Sequence, residues 1–370
     1  MHDARNIKRL SMKNVGYYNG KMGLQEEMTV PFLDRAMFFG DGVYDATYCA
    51  NRKIFETDFH VDRFYNSLKA VKIPFKLSQN IGYFTPDGKI VSAITFPFKS
   101  TISEKWYAAF GASGTKTDFF FADGTLAGTI NEVGFPFFDQ DRIFVMQPGG
   151  TAFVKCDSEG KREWNYEHYS PITAFSSSKN GTAAGYADGT VISFLPDGKI
   201  DQKFAPGGSN CDVILGVAIS ENGNRIACVS GQDQQRFIVA EKNGGHSKVI
   251  FHEYLENSIS RQTLVKFNNN SDYVYFNGKD FLGIVNTKKS TSKKIPIKGK
   301  ISQIEFSDDN ELVFVLSKDE EKYTVTILES FIYPMASFSF EGECSFIQTY
   351  ENSIFIGRNT KISKISISKK

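Results

Sequence analysis

A short phrase recurs along the chain: TPDGKI at residues 85–90, FADGTL at 121–126, YADGTV at 186–191 and LPDGKI at 195–200. Each phrase places an Asp-Gly pair between runs of alternating apolar and polar residues. Glycine adopts a positive φ angle readily, and a tight turn between two strands requires such an angle. The phrase therefore predicts a β-hairpin at each occurrence, and the alternation with a period of two predicts strands on both sides of it.

Longer similarities extend this pattern from about residue 81 onwards. Strand-like runs follow one another in pairs, for example ILGVAIS with NRIACVS and ISQIEFS with ELVFVLS. Their spacing is roughly 40 residues, which is the period of a four-stranded propeller blade. About seven blades are predicted by this period, with starts near residues 92, 135, 170, 211, 259, 301 and 344.

The ring of blades must also close, because closure removes exposed sheet edges. The last predicted blade is too short for four strands, so the segment IGYFTPDG at 81–88 is predicted to supply its missing strand. The repeats lack the Gly-His and Trp-Asp pairs of true WD40 blades. They resemble the looser WD40-like or YVTN-like class of seven-bladed propellers. An open β-sandwich, or two smaller sheets, is the alternative arrangement of the same strands.

Residues 14–77 follow a different pattern. Asn19-Gly20 lies between strand-like flanks and predicts one hairpin, and a second hairpin is predicted to turn at Asn51-Arg52. The run DFHVDRFYNSLKAVKI then spaces its apolar residues as in a helix, which Pro74 ends. This segment is therefore predicted to be α/β, and a mainly β propeller is predicted over residues 78–370.

Three motifs follow one another in the first segment: GYYNGKMG, PFLDRAMFFGDGVYDATY and HVDRFYNSLKAVKIPF. In this order they resemble the N-terminal part of class IV (fold type IV) aminotransferases, which depend on pyridoxal phosphate. The resemblance implies that Arg63 grips the cofactor phosphate, a task that suits a guanidinium group. It also implies that Tyr44 lies on the substrate side of the pocket, although Asp45 stands where the family usually has Glu.

The resemblance stops near Leu77, before the lysine that forms the Schiff base in the family and the glutamate that pairs with the pyridine nitrogen. That chemistry needs an amine placed against the cofactor aldehyde. We therefore expect a truncated aminotransferase-like segment, with no catalytic residue and no bound cofactor. Pyridoxal phosphate is expected only under the alternative function, that of a class IV aminotransferase.

Composition limits the partners. Lys and Arg number 43 and Asp and Glu 42, and this near-neutral balance is not typical of a nucleic-acid-binding surface. The five cysteines are scattered without a CxxC pair, and the five histidines form no HExxH motif, so no metal site is predicted.

Residues 1–13 lack the apolar core of a signal peptide and are expected to be a disordered leader. A cytoplasmic protein without a membrane span is expected.

One aromatic cluster is a candidate partner site. The stretch EGKREWNYEHY at 159–169 gathers Trp164, Tyr166 and Tyr169 near a predicted blade boundary. Such residues often form protein contact sites when they lie on a loop, but they can equally pack between blades, and the sequence leaves both interpretations open. The function expected is that of a non-catalytic binding or scaffold protein that presents a propeller face to a protein or peptide. An enzyme housed in the central channel has no convergent acid, base or metal set to support it.

Overall fold

The computed structural model describes residues 15–18, 21–24, 49–50, 53–54, 72–111, 115–244, 246–309, 311–351 and 353–367. The chain divides into two compact units, Met1–Ala70 and Val71–Lys370. All regular elements within these described ranges are β-strands, and each strand pairs with its neighbour in antiparallel fashion.

The first unit contains two short hairpins among its described residues. In one, β1 (Val15–Tyr18) pairs with β2 (Lys21–Leu24), and in the other β3 (Cys49–Ala50) pairs with β4 (Lys53–Ile54). The hairpins predicted at Asn19-Gly20 and Asn51-Arg52 are therefore confirmed. The predicted leader, most of the predicted helix, and the residues Tyr44 and Arg63 lie outside the described residues.

The second unit is a succession of eight sheets, which we number as blades in chain order. The first blade has three strands: β5 (Ile73–Leu77), β6 (Asn80–Phe84) and β7 (Ile90–Thr95). The second has β8 (Lys99–Ile102), β9 (Trp106–Phe110), β10 (Thr117–Phe121) and β11 (Leu126–Ile130). The third has β12 (Phe135–Asp139), β13 (Arg142–Met146), β14 (Ala152–Cys156) and β15 (Arg162–Glu167). The fourth has β16 (Ile172–Ser178), β17 (Gly181–Tyr186), β18 (Val191–Phe194) and β19 (Ile200–Phe204).

The remaining blades continue the succession. The fifth has β20 (Ile214–Ile219), β21 (Arg225–Ser230), β22 (Arg236–Asn243) and β23 (His246–Tyr254). The sixth has β24 (Val265–Phe267), β25 (Tyr273–Asn277), β26 (Phe281–Asn286) and β27 (Thr291–Pro296). The seventh has β28 (Lys300–Phe306), β29 (Leu312–Asp319), β30 (Lys322–Glu329) and β31 (Tyr333–Glu341). The eighth has three strands: β32 (Ser345–Tyr350), β33 (Ser353–Arg358) and β34 (Lys361–Ser366).

The hydrophobic core is divided into eight clusters, and each cluster joins two neighbouring blades. The reason is that the middle strands of a blade are apolar on both faces, as in β17, β18 and β21, where nearly every residue is buried. A single blade cannot cover both of its own faces. Each blade therefore packs against the blade before it and the blade after it, and the core itself forms a ring.

The last of these clusters closes the ring. It places Phe75 and Phe84 of the first blade against Phe346 and Phe355 of the eighth. The ring centroids of Phe84 and Phe355 lie 5.0 Å apart, edge to face, and those of Phe75 and Phe346 lie 6.3 Å apart. Aromatic pairs prefer such separations. This unit is therefore a mainly β propeller, and the alternative of an open β-sandwich is excluded.

The recurring Asp-Gly phrase forms the hairpins that its sequence predicts. The φ angles of Gly88, Gly124, Gly189 and Gly198 are 90°, 86°, 79° and 85°, in the region that favours glycine. In three of these turns the aspartate also accepts a hydrogen bond from the backbone N–H two residues later, at 2.9, 3.0 and 3.2 Å.

The blade count of seven was wrong, because the first blade was not recognised. The segment IGYFTPDG supplies β6 and the following turn of a separate first blade, and it does not complete the last one. The start predicted near residue 92 lies inside β7. A three-stranded blade is shorter than the period of a four-stranded one, so its repeat is not visible in the sequence. Its first strand was therefore assigned to the segment 14–77, and its second strand was assigned to the last blade.

The start of the propeller also differs from the expected boundary after residue 77. Residues 73–77 form β5, the first strand of the first blade, and the compact unit begins at Val71. Pro74, predicted to end a helix, lies within this strand. Proline lacks the N–H of a ladder hydrogen bond and is tolerated at the edge of a sheet, where β5 lies.

The closing cluster yields a stability prediction. Phe84→Ala removes a ring that is 0% exposed between two blades, so we expect the free energy of unfolding to fall by about 3–5 kcal/mol. Phe121→Ala is the matched control, because this ring is 43% exposed, and we expect a change within about 0.5 kcal/mol. Urea unfolding followed by circular dichroism measures both. Equal losses in the two variants would contradict closure through this contact.

Candidate functional site

The predicted aromatic residues lie at the seam between the third and fourth blades. Trp164 and Tyr166 are on strand β15, half-buried, with their ring centroids 5.6 and 4.7 Å from that of Phe194 in the fourth blade. The indole Nε1 of Trp164 donates a hydrogen bond to the carbonyl of Pro196, at 2.9 Å. Tyr169 follows the strand and is 81% exposed. The structure thus places Trp164 and Tyr166 in the packing between blades and Tyr169 at the surface.

Trp164 also lines a cavity of 290 Å³ between these blades. Arg142 forms part of its wall and is 8% exposed. The guanidinium of Arg142 donates to the hydroxyl of Ser177 at 2.8 Å and lies 3.5 Å from the carboxylate of Asp139. Lys155, on the same wall, forms an ion pair of 3.0 Å with Glu163. The cavity therefore combines an aromatic side with a polar rim in which Arg142 and Lys155 each have a carboxylate partner.

A buried histidine and an aspartate hold the other end of the seam together. His168 is 6% exposed, and its Nε2 lies 3.0 Å from Oδ2 of Asp188. The His168 ring is flanked by Tyr169 and Tyr186, with centroid separations of 4.2 and 4.3 Å. Tyr169 also forms a hydrogen bond with Asp188, which raises the pKa of the tyrosine. The exposed Tyr169 ring therefore has a buried ring on one side and a carboxylate as hydrogen-bond partner.

The electrostatics of Asp188 follow from these contacts. Partial burial by itself raises the pKa of the carboxyl, but hydrogen bonds from Tyr169, from the backbone N–H of Thr190 and from His168 outweigh it. Together they lower the pKa of Asp188 to about 2. Asp188 is therefore ionised at neutral pH and accepts from all of its neighbours.

The two ends of the seam lie on opposite faces of the propeller. The cavity is lined by Asp141, Lys179 and Pro196, which lie in turns between first and second or between third and fourth strands of a blade. His168 lies in the connection between blades, and Asp188 in a turn between second and third strands. Because the strands of a blade are antiparallel, these two sets of turns are at opposite ends.

Sequence reasoning missed the pairing of His168 with Asp188. The phrase YADGTV contains the aspartate, and its recurrence indicates only a turn. The histidine lies 20 residues earlier, in the connection between the third and fourth blades, and no spacing rule joins two such positions. Within the described part of the chain no group of three or more His, Cys, Asp or Glu side chains could hold a metal ion. The same described residues include no helix long and apolar enough to cross a bilayer.

The contact between Trp164 and the turn of the fourth blade can be tested with a matched pair of variants. A Cβ atom added at Gly198 would lie 2.6 Å from Cγ of Trp164, whereas one added at Gly88 meets nothing within 4 Å. Both glycines occupy a PDGK turn with a similar positive φ, so the backbone strain is shared. We expect Gly198→Ala to displace the indole and lower the melting temperature more than Gly88→Ala.

Intrinsic tryptophan fluorescence and thermal melts of both variants measure this difference. The emission maximum should shift in Gly198→Ala only, since Trp106, the other tryptophan, is 3% exposed and packs elsewhere. Identical spectra and melting temperatures for the two variants would rule out a close contact of Trp164 with this turn.

The lowered pKa of Asp188 predicts a pH dependence. An aspartate in an unfolded chain has a pKa of about 3.9, so its stabilising effect is complete above that pH and is lost as the pH falls through about 2. We expect the gap in unfolding free energy between wild type and Asp188→Asn to shrink between about pH 4 and pH 2. Urea titrations at a series of pH values test it, and a constant gap over that range would show that the carboxylate is not held as described.

Comparisons with known proteins agree with the architecture. A relative from Treponema pallidum (strain Nichols), named only as an uncharacterized protein, is 29% identical over 295 residues, which cover 80% of this chain and 78% of the relative. The crystal structure of a computationally designed protein, Ika8, superposes with a TM-score of 0.58 at 13% identity, covering 80% of this chain and 96% of that one. The structure of BamB from Moraxella catarrhalis superposes with a TM-score of 0.56 at 14% identity, covering 81% and 92%.

The two structural similarities are at low sequence identity and concern the fold alone. The family assignment comes from sequence: residues 52–370 match the model of a family described as beta-propeller protein. The match includes residues 52–77, which the sequence resemblance had assigned to an aminotransferase-like segment. It covers well over half of the chain, and the chain therefore belongs to this family of beta-propeller proteins.

Proposed function

We propose that the protein is a non-catalytic binding propeller that presents the Tyr169 end of the seam between blades three and four to a protein or peptide partner. The observation that supports this proposal is an aromatic side chain, 81% exposed, that contacts the buried His168 ring and forms a hydrogen bond with Asp188. Exposed tyrosines that are fixed before binding lose little conformational freedom when a partner covers them. Tyrosine is also among the residues that contribute most to protein interfaces.

The surroundings of Tyr169 support a partner with both apolar and polar groups. The ring of Tyr169 offers an apolar face, while Asp188 next to it is ionised and accepts hydrogen bonds. A peptide provides both kinds of group, an aliphatic or aromatic side chain for the ring and N–H or cationic groups for the carboxylate. Tyr166 lies next to His168, with ring centroids 6.5 Å apart, and also contacts Phe194 of the fourth blade.

The alternative, a class IV aminotransferase, rests on the resemblance over residues 14–77. Arg63, its cofactor-binding candidate, falls within the stretch matched by the propeller family, and no observation from the described residues favours this function. Our proposal therefore excludes bound pyridoxal phosphate and transamination. The eight blades of this chain also distinguish it from the seven-bladed WD40-like class that its repeats resemble.

A partner can be identified and tested in one design. A photo-crosslinking amino acid is placed at position 169, and at position 333 as a control, because Tyr333 is 57% exposed but lies on β31 of the seventh blade. Proteins captured only from position 169 are purified, and their affinity is measured for the wild type, Tyr169→Ala and Tyr333→Ala. We expect Tyr169→Ala to weaken binding by about 30-fold, the effect of an interface hot spot.

The control variant Tyr333→Ala should bind as the wild type does. A captured partner that binds Tyr169→Ala with undiminished affinity would overturn the proposed site.

A separate experiment tests the aminotransferase alternative. The full chain is incubated with pyridoxal phosphate and dialysed, and amino-group exchange between an amino acid and a 2-oxo acid is then assayed. Retained cofactor with exchange activity would replace the binding proposal with the enzymatic one.

A further inference from the structure

A second cavity lies where the ring closes. Its volume is 350 Å³, at the lower end of the range for small-molecule sites. The strands that line it are β5, β8, β28 and β32, the first strands of the two blades on each side of the closure. It therefore opens into the centre of the ring, away from the seam that holds Tyr169.

Lys76 is the one charged residue among the described residues that line this cavity. Its Nζ donates a hydrogen bond of 3.1 Å to the carbonyl of Ser100 and lies 4.9 Å from the centroid of the Phe96 ring. It makes no ion pair with any described residue. Partial burial lowers the pKa of its ammonium group. Lys76 is nevertheless an exposed residue. The cavity thus presents a solvent-accessible positive charge that no described carboxylate neutralises.

The polar groups around Lys76 differ in what they can still donate. The hydroxyls of Ser302 and Ser345 already donate to backbone carbonyls, at 3.2 and 2.7 Å. The amide of Gln303 uses both of its ends on the backbone of β32, at 3.3 and 2.8 Å. The amide of Gln348 forms no hydrogen bond within the described residues. Two donors are therefore available to a ligand, the ammonium of Lys76 and the amide of Gln348.

The remaining wall is apolar and is provided by Pro74, Phe75, Ile102 and Phe346. A ligand that fits must therefore carry a small apolar group together with its negative charge. We propose that this cavity binds a carboxylate attached to an aliphatic group, with Lys76 neutralising the charge and Gln348 donating a second hydrogen bond. The free C-terminus of a peptide that ends in an aliphatic residue and a short aliphatic acid share this chemistry.

A carboxylate fits this site better than a phosphate does. A phosphate monoester carries a charge of about −1.5 to −2 at neutral pH, and one ammonium group beside an apolar wall leaves much of that charge uncompensated. Phosphate sites are usually built from arginine forks or from several backbone N–H groups. Here one point charge and one amide face an apolar wall, which suits a single negative charge.

This inference does not rest on the proposed role of Tyr169. The two sites are formed by different blades, so Tyr169→Ala should leave binding of a carboxylate unchanged. Loss of the protein partner in that variant together with intact carboxylate binding separates the two proposals.

Calorimetric titration of the full chain tests the site with four probes. These are an N-acetylated tripeptide ending in leucine with a free carboxylate, the same peptide as its C-terminal amide, pentanoate, and inorganic phosphate. We expect the free-acid peptide to bind and its amide to bind at least about tenfold more weakly, the effect of losing one charged hydrogen bond. Pentanoate binding as tightly as the peptide would support the site and assign it to free aliphatic acids.

Three lysine variants complete the design. Lys76→Met should weaken binding of the free-acid peptide by about tenfold or more, whereas Lys76→Arg, which keeps the charge, should retain most of the affinity. Lys99→Met is the control, because Lys99 is an exposed lysine on β8 that does not line the cavity. The proposal is overturned if the peptide acid and amide bind equally, if Lys76→Met that remains folded by circular dichroism binds as the wild type does, or if phosphate binds more tightly than every carboxylate.

Discussion

The contact between the first and last blades is the interaction on which the rest of this structure depends. Every blade has two apolar faces, and a linear stack of blades would leave one face exposed at each end. Phe75 and Phe84 meet Phe346 and Phe355 across this gap, so the two end faces cover each other. Among the described strands none is exchanged between the two terminal blades, and both are three-stranded sheets built from their own segments. In the described residues closure therefore relies on packing between side chains, together with a hydrogen bond of 3.0 Å from Lys364 to the carbonyl of Pro86.

Both proposed sites follow from this arrangement. A ring of blades creates two kinds of place where distant segments meet: the seams between neighbouring blades, and the centre where the first strands converge. The seam between blades three and four brings His168 next to Asp188, and both residues contact Tyr169 at the surface. The centre brings Lys76 into a cavity whose other described lining residues carry no charge. In each case a rigid β scaffold holds a group whose interactions are incomplete within the described chain, which is the property expected of a binding site.

Local features of this fold were predictable to the level of single turns. The Asp-Gly phrases, the alternation of apolar residues and the two N-terminal hairpins all appear in the structure, because each depends on contacts between residues close in sequence. The first blade was missed for an equally local reason. It has three strands and contains Pro74, so its pattern matched neither the expected period nor an ordinary strand. The sequence identified the aromatic residues at 164, 166 and 169, but it did not show which of them pack between blades and which one is exposed. Strand alternation and the packing of the next blade together decide which ring is covered.

The amino-acid sequence alone determined that this chain forms consecutive antiparallel hairpins, because turn chemistry and a period of two act over a few residues. It also determined which aromatic and charged residues were available for binding. Only the tertiary structure decided that there are eight blades, that Asp188 reaches His168, and that Lys76 has no charged neighbour among the described residues lining the central cavity. All three features require the ring to close, and the ring closes only when enough blades are present for the apolar face of the last blade to pack on that of the first. That number is set by the packing angle between whole sheets, which no short stretch of sequence encodes.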